Sequence, residues 1–78
     1  MWYVYILLCK DGKPYIGCSS NLPERIERHQ KGQAPATKER LPVKLVSYIA
    51  FGDKHKAFEF EKYLKSGSGR AFTKQHLL

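Results

Sequence analysis

Apolar and aromatic residues crowd the start of the chain, Trp2-Tyr3-Val4-Tyr5-Ile6-Leu7-Leu8-Cys9. A second such stretch, Tyr15-Ile16-Gly17-Cys18, follows the polar interruption Lys10-Asp11-Gly12-Lys13-Pro14. Short runs rich in β-branched and aromatic residues on either side of a turn signal predict a β-hairpin. Two registers are open. A two-residue Asp11-Gly12 turn sets Leu8 opposite Tyr15 and puts Tyr5 and Tyr15 on opposite faces of the sheet. A three-residue loop, Lys10-Asp11-Gly12 with Gly12 left-handed, sets Leu7 opposite Tyr15 and Tyr5 opposite Gly17, so that both tyrosines share a face.

Further along, Asn21-Leu22-Pro23-Glu24 combines a capping residue, a first-turn proline and an acid three positions after the cap, which marks a helix start. The helix runs to about Lys31 and stops at Gly32, with Leu22 and Ile26 as its apolar contacts. Glu24 with Arg28 and Glu27 with Lys31 are i,i+4 pairs, whereas Arg25 has none. Residues 32–42 hold a glycine, two prolines and the cluster Lys38-Glu39-Arg40 without a sustained period, and so predict a long loop. Residues 43–51 predict a third strand. From Lys54 to about Ser66 a helical period, capped by Asp53 and ended by Gly67, puts Ala57, Phe60, Glu61 and Leu64 on one stripe, and a short terminal helix is expected over 70–77. The order β-β-α-β-α-α implies an α/β fold of the α+β kind: a small three-stranded, mainly antiparallel sheet flanked by helices, as one domain over 1–78.

Composition narrows the function. Of the 78 residues, 42% are hydrophobic and 13% aromatic, which argues for a packed core over a disordered tail. Fourteen Lys+Arg against seven Asp+Glu give a formal charge of +7, so a polyanion is the favoured partner and nucleic acid the first candidate. The opening apolar run is too short to span a membrane and wrongly flanked for a signal peptide, so no membrane is expected. Cys9 and Cys18 match no metal-ligand spacing and read as reduced thiols in a cytoplasmic protein.

Sorting the seven acids leaves one candidate for chemistry. Asp11 falls in a turn and Asp53 at a cap. Glu24 and Glu27 have helical partners, Glu39 lies among cations, and Glu59 is off the apolar stripe with Lys62 in reach. Glu61 borders buried surface, where an unpaired charge is costly unless it meets a cation or a metal. The plainer alternative is an i,i+4 pair with Lys65. A single inward carboxylate also disfavours a two-metal site.

Taken together, Tyr5, Tyr15-Ile16-Gly17, Arg25, His29 and Glu61 resemble the GIY-YIG nuclease family. Tyr3-Val4-Tyr5 stands at the Gly-Ile-Tyr motif and Tyr15-Ile16-Gly17 at the second. The likeness continues through Thr37-Lys38-Glu39-Arg40-Leu41-Pro42 to Glu61 and Lys65, and is greatest with small stand-alone bacterial members, similar to the N-terminal catalytic domain found in the bacterial excision-repair nuclease. It implies phosphodiester hydrolysis with one Mg²⁺ or Mn²⁺ ion held by Glu61, a scissile phosphate held by Arg25, and water activated by Tyr5 with Tyr15 and His29 assisting. DNA is the expected partner, with an RNA nuclease as a third reading; a 78-residue module covers too little groove for strong base readout, so a preference for branched or damaged DNA, or reliance on a protein partner for targeting, is expected. Lys38, Arg40 and Arg70 are the cations expected against nucleic acid. Gly17 is expected to keep space open opposite Tyr5.

Three departures stand out: Tyr3 in place of glycine, Cys18 where several relatives carry a lysine, and no late asparagine. The competing reading is a nucleic-acid-binding or partner-docking module with a vestigial site, motivated by the +7 charge and Cys18.

Overall fold

A computed structural model describes all 78 residues. Strands β1 (Trp2–Leu8) and β2 (Pro14–Ser19) are followed by helix α1 (Leu22–Gln30), a short 3₁₀ turn (Lys38–Arg40), strand β3 (Lys44–Phe51) and helices α2 (Lys54–Leu64) and α3 (Gly67–Phe72). A final wide helical turn spans Thr73–Leu77. The sheet is wholly antiparallel with order β2-β1-β3, so β1 is central and β2 is an edge.

The hairpin takes the three-residue loop. Gly12 has φ +79°, the Cys9 amide donates to the Lys13 carbonyl at 3.1 Å, and Tyr5 pairs with Gly17 and Leu7 with Tyr15. The left-handed position at Gly12 suits a residue without Cβ, and it decides the register, hence which tyrosines meet. The two-residue Asp11-Gly12 turn is thereby excluded.

Strand alternation splits the core into two layers. On one face Val4, Ile6 and Ile16 pack under Ala57 and Leu64 of α2, with Phe60 and Phe72 against them. On the other, Tyr5, Leu7 and Cys9 pack with Leu22 of α1 and with Val43, and Ile26, Leu41 and Tyr15 close the edges. Both helix caps form where the residue types imply them: the Asn21 side chain accepts from the Glu24 amide and the Asp53 side chain from the His55 amide.

The C-terminal boundary differs from the sequence reading. Helix α2 ends at Leu64, and Gly67 starts α3 instead of stopping α2. The reason is Ser66, whose hydroxyl accepts from the Gly69 amide as the cap of the next helix. The terminal helix therefore begins before Arg70. The tail is tied back to the sheet where the Ser47 hydroxyl donates to the Leu77 carbonyl at 2.6 Å. No helix is long and apolar enough to cross a membrane.

Candidate active site

The shared face of β1 and β2 brings Tyr5 and Tyr15 together, their ring centres 6.4 Å apart. Helix α1 lays His29 across both, at 5.7 Å from the Tyr5 ring and 5.1 Å from that of Tyr15. Tyr5 Oη and His29 Nε2 share a hydrogen bond of 2.9 Å, and His29 Nδ1 shares one of 2.7 Å with Thr37 Oγ1. Tyr5, His29 and Thr37 are buried, at 1%, 2% and 0% exposure. With the imidazole proton on Nδ1, that N–H donates to Thr37 and Nε2 accepts from the Tyr5 hydroxyl, which sets a proton acceptor on the phenol.

Thr37 opens the family-like stretch 37–42, but the sequence assigns it no role. It lies in a stretch without periodicity, and the 3₁₀ turn fixes it: its amide donates to the Ala34 carbonyl and its own carbonyl accepts from the Arg40 amide. By periodicity alone, a threonine just ahead of a turn does not differ from a surface residue. Only the tertiary contact with His29 reveals it.

Burial pushes the Tyr5 phenol up to about 12, Tyr15 adds to the rise, and the neighbouring Arg25 guanidinium pulls the other way; Glu61 raises it slightly further. His29 is lowered, first by burial and then by Arg25 and Arg28. Burial and Glu61 raise the Cys18 thiol while Arg25 lowers it. Arg25 and Glu61 thus act on one point although they stand on helices packed against opposite faces of the sheet. Both bear on the Tyr5 phenol and on the Cys18 thiol of the edge strand. The Arg25 Nε is buried and has no hydrogen-bond partner. A Cβ at Gly17 would overlap Tyr5 Oη and Cζ, so glycine there is required by the phenol's position.

Glu61 is inward to the extent that its side chain is 22% exposed, and it also makes the plainer contact foreseen for it: Lys65 Nζ donates to its Oε2 at 3.0 Å. Glu24–Arg28 and Glu27–Lys31 form as the helix spacing implies, while Arg40 of the 3₁₀ turn pairs at 2.8 Å with Asp11 of the hairpin loop. Arg70 stands with Arg40 on the wall of a cleft beside Tyr15, whereas Lys38 is exposed and does not line it.

The profile of the GIY-YIG catalytic domain matches residues 1–75. The chain belongs to the GIY-YIG family. Among similar proteins, a UPF0213 protein of Lacticaseibacillus paracasei is 42% identical over 65 residues, covering 82% of this chain and 73% of that one. One of Clostridium perfringens is 47% identical over 66 residues, covering 83% and 71%. The solution NMR structure of a UPF0213 protein from Bacillus halodurans superposes with a TM-score of 0.61 at 37% identity, over 96% of this chain and 84% of that one. GIY-YIG is a family of nucleases, which implies a nucleic-acid substrate, and its members generally use divalent metal ions.

The donor set of this GIY-YIG domain fits such an ion in one way only. No group of three or more His, Cys, Asp and Glu side chains comes together. Glu61 offers a single hard carboxylate, which suits Mg²⁺ or Mn²⁺, ions that commonly take one or two protein oxygens and complete their shell with water and substrate phosphate. Lys65 holds only Oε2, so Oε1 is the oxygen left to meet an ion.

His29 makes the fold sensitive to acid. Its lowered pKa means that the folded state favours the neutral ring. The stability gained is therefore complete above the unfolded value of about 6.5 and is lost as pH falls through the folded one. Urea unfolding of the parent should lose stability between neutral and mildly acidic pH, and His29→Gln should lose clearly less over the same interval. Equal losses in the two proteins would contradict this coupling.

Proposed function

We propose that this chain is an endonuclease that hydrolyses DNA phosphodiester bonds with one Mg²⁺ or Mn²⁺ ion, on branched, flapped or damaged DNA more than on particular sequences. The observation that carries the reading is the buried, unpartnered Nε of Arg25 beside the Tyr5 phenol. A guanidinium with a free donor next to a proton-accepting group is suited to a phosphate oxyanion. A chain of 9.0 kDa covers too little groove for extensive base readout, which favours recognition of DNA shape or a targeting partner.

In this reading Arg25 holds the scissile phosphate and Tyr5 takes the proton of the attacking water. His29, fixed by Thr37, positions the phenol and accepts its proton, and Tyr15 closes the far side. Glu61 would hold the ion, which when bound polarises a phosphoryl oxygen and stabilises charge in the transition state. Base assistance of this type contributes about 10²–10⁴ in rate. The acidity of Tyr5 is the critical quantity. A phenol titrating at about 12 is ionised in only about one molecule in 10⁵ at neutral pH, and each unit of lowering raises that fraction tenfold. Cations must supply the lowering. Cys18, a thiol shifted upward, supplies none at the place where several relatives carry lysine.

The test is nicking of plain, flapped and branched duplexes with Mg²⁺, Mn²⁺ or chelator, by the parent and by Glu61→Ala. Divalent-dependent cleavage that falls about 10³-fold in the variant is expected, corresponding to about 4 kcal/mol of transition-state stabilisation. Binding without cleavage of any substrate would instead make the chain a nucleic-acid-binding module with a vestigial site.

A further inference from the structure

Next to the candidate site lies a cleft of about 840 Å³ between the hairpin loop, the start of β2 and the C-terminal helical segment. Five cations line it, Lys13, Arg40, Lys65, Arg70 and Lys74, against one acidic side chain, Asp11. Arg40 is committed to Asp11 and Lys65 to Glu61. Lys13, Arg70 and Lys74 are exposed and form no ion pair, so their charge is directed at whatever enters. Thr73 is also on the wall, 3% exposed, and its hydroxyl has no hydrogen-bond partner. That hydroxyl is sealed from solvent, so the exposed cations are what the cleft presents to a ligand.

The cleft joins the candidate site at two points. Tyr15 lines it while its ring lies 5.1 Å from that of His29. Lys65 lines it while its ammonium holds Glu61 at 3.0 Å. A chain of phosphates whose scissile member sits at Arg25 can therefore pass Tyr15 directly into the cations.

We infer that this cleft seats the sugar-phosphate backbone of the single DNA strand that leads away from the scissile phosphate. The inference rests on the nuclease reading and adds Lys13 and Lys74 to its substrate contacts. Flexible cations track a phosphate backbone without reading sequence. Tyr15 is the sole aromatic side chain on the wall, so the cleft offers little for stacking bases, and they would point outward.

The test uses fluorescence anisotropy of a labelled single-stranded 20-nucleotide DNA in chelator, across a series of NaCl concentrations, so that binding is read without any cleavage. The triple variant Lys13→Ala/Arg70→Ala/Lys74→Ala is compared with the parent and with Lys44→Ala/Lys56→Ala/Lys62→Ala, which removes the same charge from exposed positions outside the cleft. Each lost phosphate contact lowers the slope of log K against log salt by about 0.7, so the cleft variant should lose about 2 and the other variant far less. Thermal unfolding verifies that both remain folded. Equal slopes in all three proteins, or equal losses in the two variants, would overturn the cleft as the strand's seat. That result is separate from the nuclease reading, which the Glu61→Ala cleavage assay decides: a cleft-dependent binder that cuts nothing sinks the nuclease alone, and a cutter with an unchanged slope sinks the cleft alone.

Discussion

Arg25→Ala is expected to slow single-turnover strand cleavage by about 10²–10³, the cost of removing one preorganised donor from a developing oxyanion. Two effects act in the same direction. The phosphate loses a guanidinium whose Nε is free for it, and Tyr5 loses the one neighbouring cation that opposes its upward shift. The fold should lose little, because Arg25 makes no ion pair and its Nε has no partner to leave unpaired. Arg25→Lys should recover part of the rate, since a lysine restores charge without the planar fork. Quench-flow rates at saturating enzyme, set beside thermal unfolding, decide the matter: cleavage by Arg25→Ala within about threefold of the parent would remove this residue from the mechanism.

Gly17→Ala should inactivate through geometry. The added methyl would occupy the space of Tyr5 Oη and Cζ and stand 2.9 Å from a ring carbon, so the ring must swing away. That movement breaks the 2.9 Å bond to His29 and leaves both groups buried without their partner. Overpacking of this kind costs about 1–3 kcal/mol, a loss a folded domain can survive, while cleavage should fall at least about 10²-fold because the base is displaced. A double-mutant cycle with Tyr5→Phe separates the causes. If Gly17→Ala acts through the phenol, it costs much less activity once the hydroxyl is gone. Additive losses would mean that Gly17 serves something other than Tyr5.

Much of this site is legible in the letters because its placement is local. The hairpin is read from the letters, but its two registers are not separated there, and only the left-handed Gly12 of the structure chooses the one that pairs Tyr5 with Gly17 and gives Tyr5 and Tyr15 a common face. Asn21 and Pro23 start α1, and its pitch then carries Arg25 and His29 to the same side. What is not legible depends on contacts distant in sequence. Thr37 gains its role only when the loop folds under His29. The start of α3 depends on which neighbour Ser66 caps. Glu61 shows why helical spacing leaves a role undecided, since a carboxylate that borders the core still makes the plain pair with Lys65. The cleft is hidden for a similar reason, because Lys13, Arg70 and Lys74 converge only through the packing of the C-terminal segment beside the hairpin.

The central claim is that a carboxylate, a guanidinium and two phenols from both faces of the sheet converge at the edge strand. Titration of the ¹⁵N-labelled protein with paramagnetic Mn²⁺, followed in ¹H–¹⁵N spectra, tests this most directly. Convergence predicts selective broadening of the Gly17, Cys18 and Glu61 amides, abolished in Glu61→Ala. Broadening centred on the exposed acids of α1, Glu24 and Glu27, and unchanged in Glu61→Ala, would contradict it.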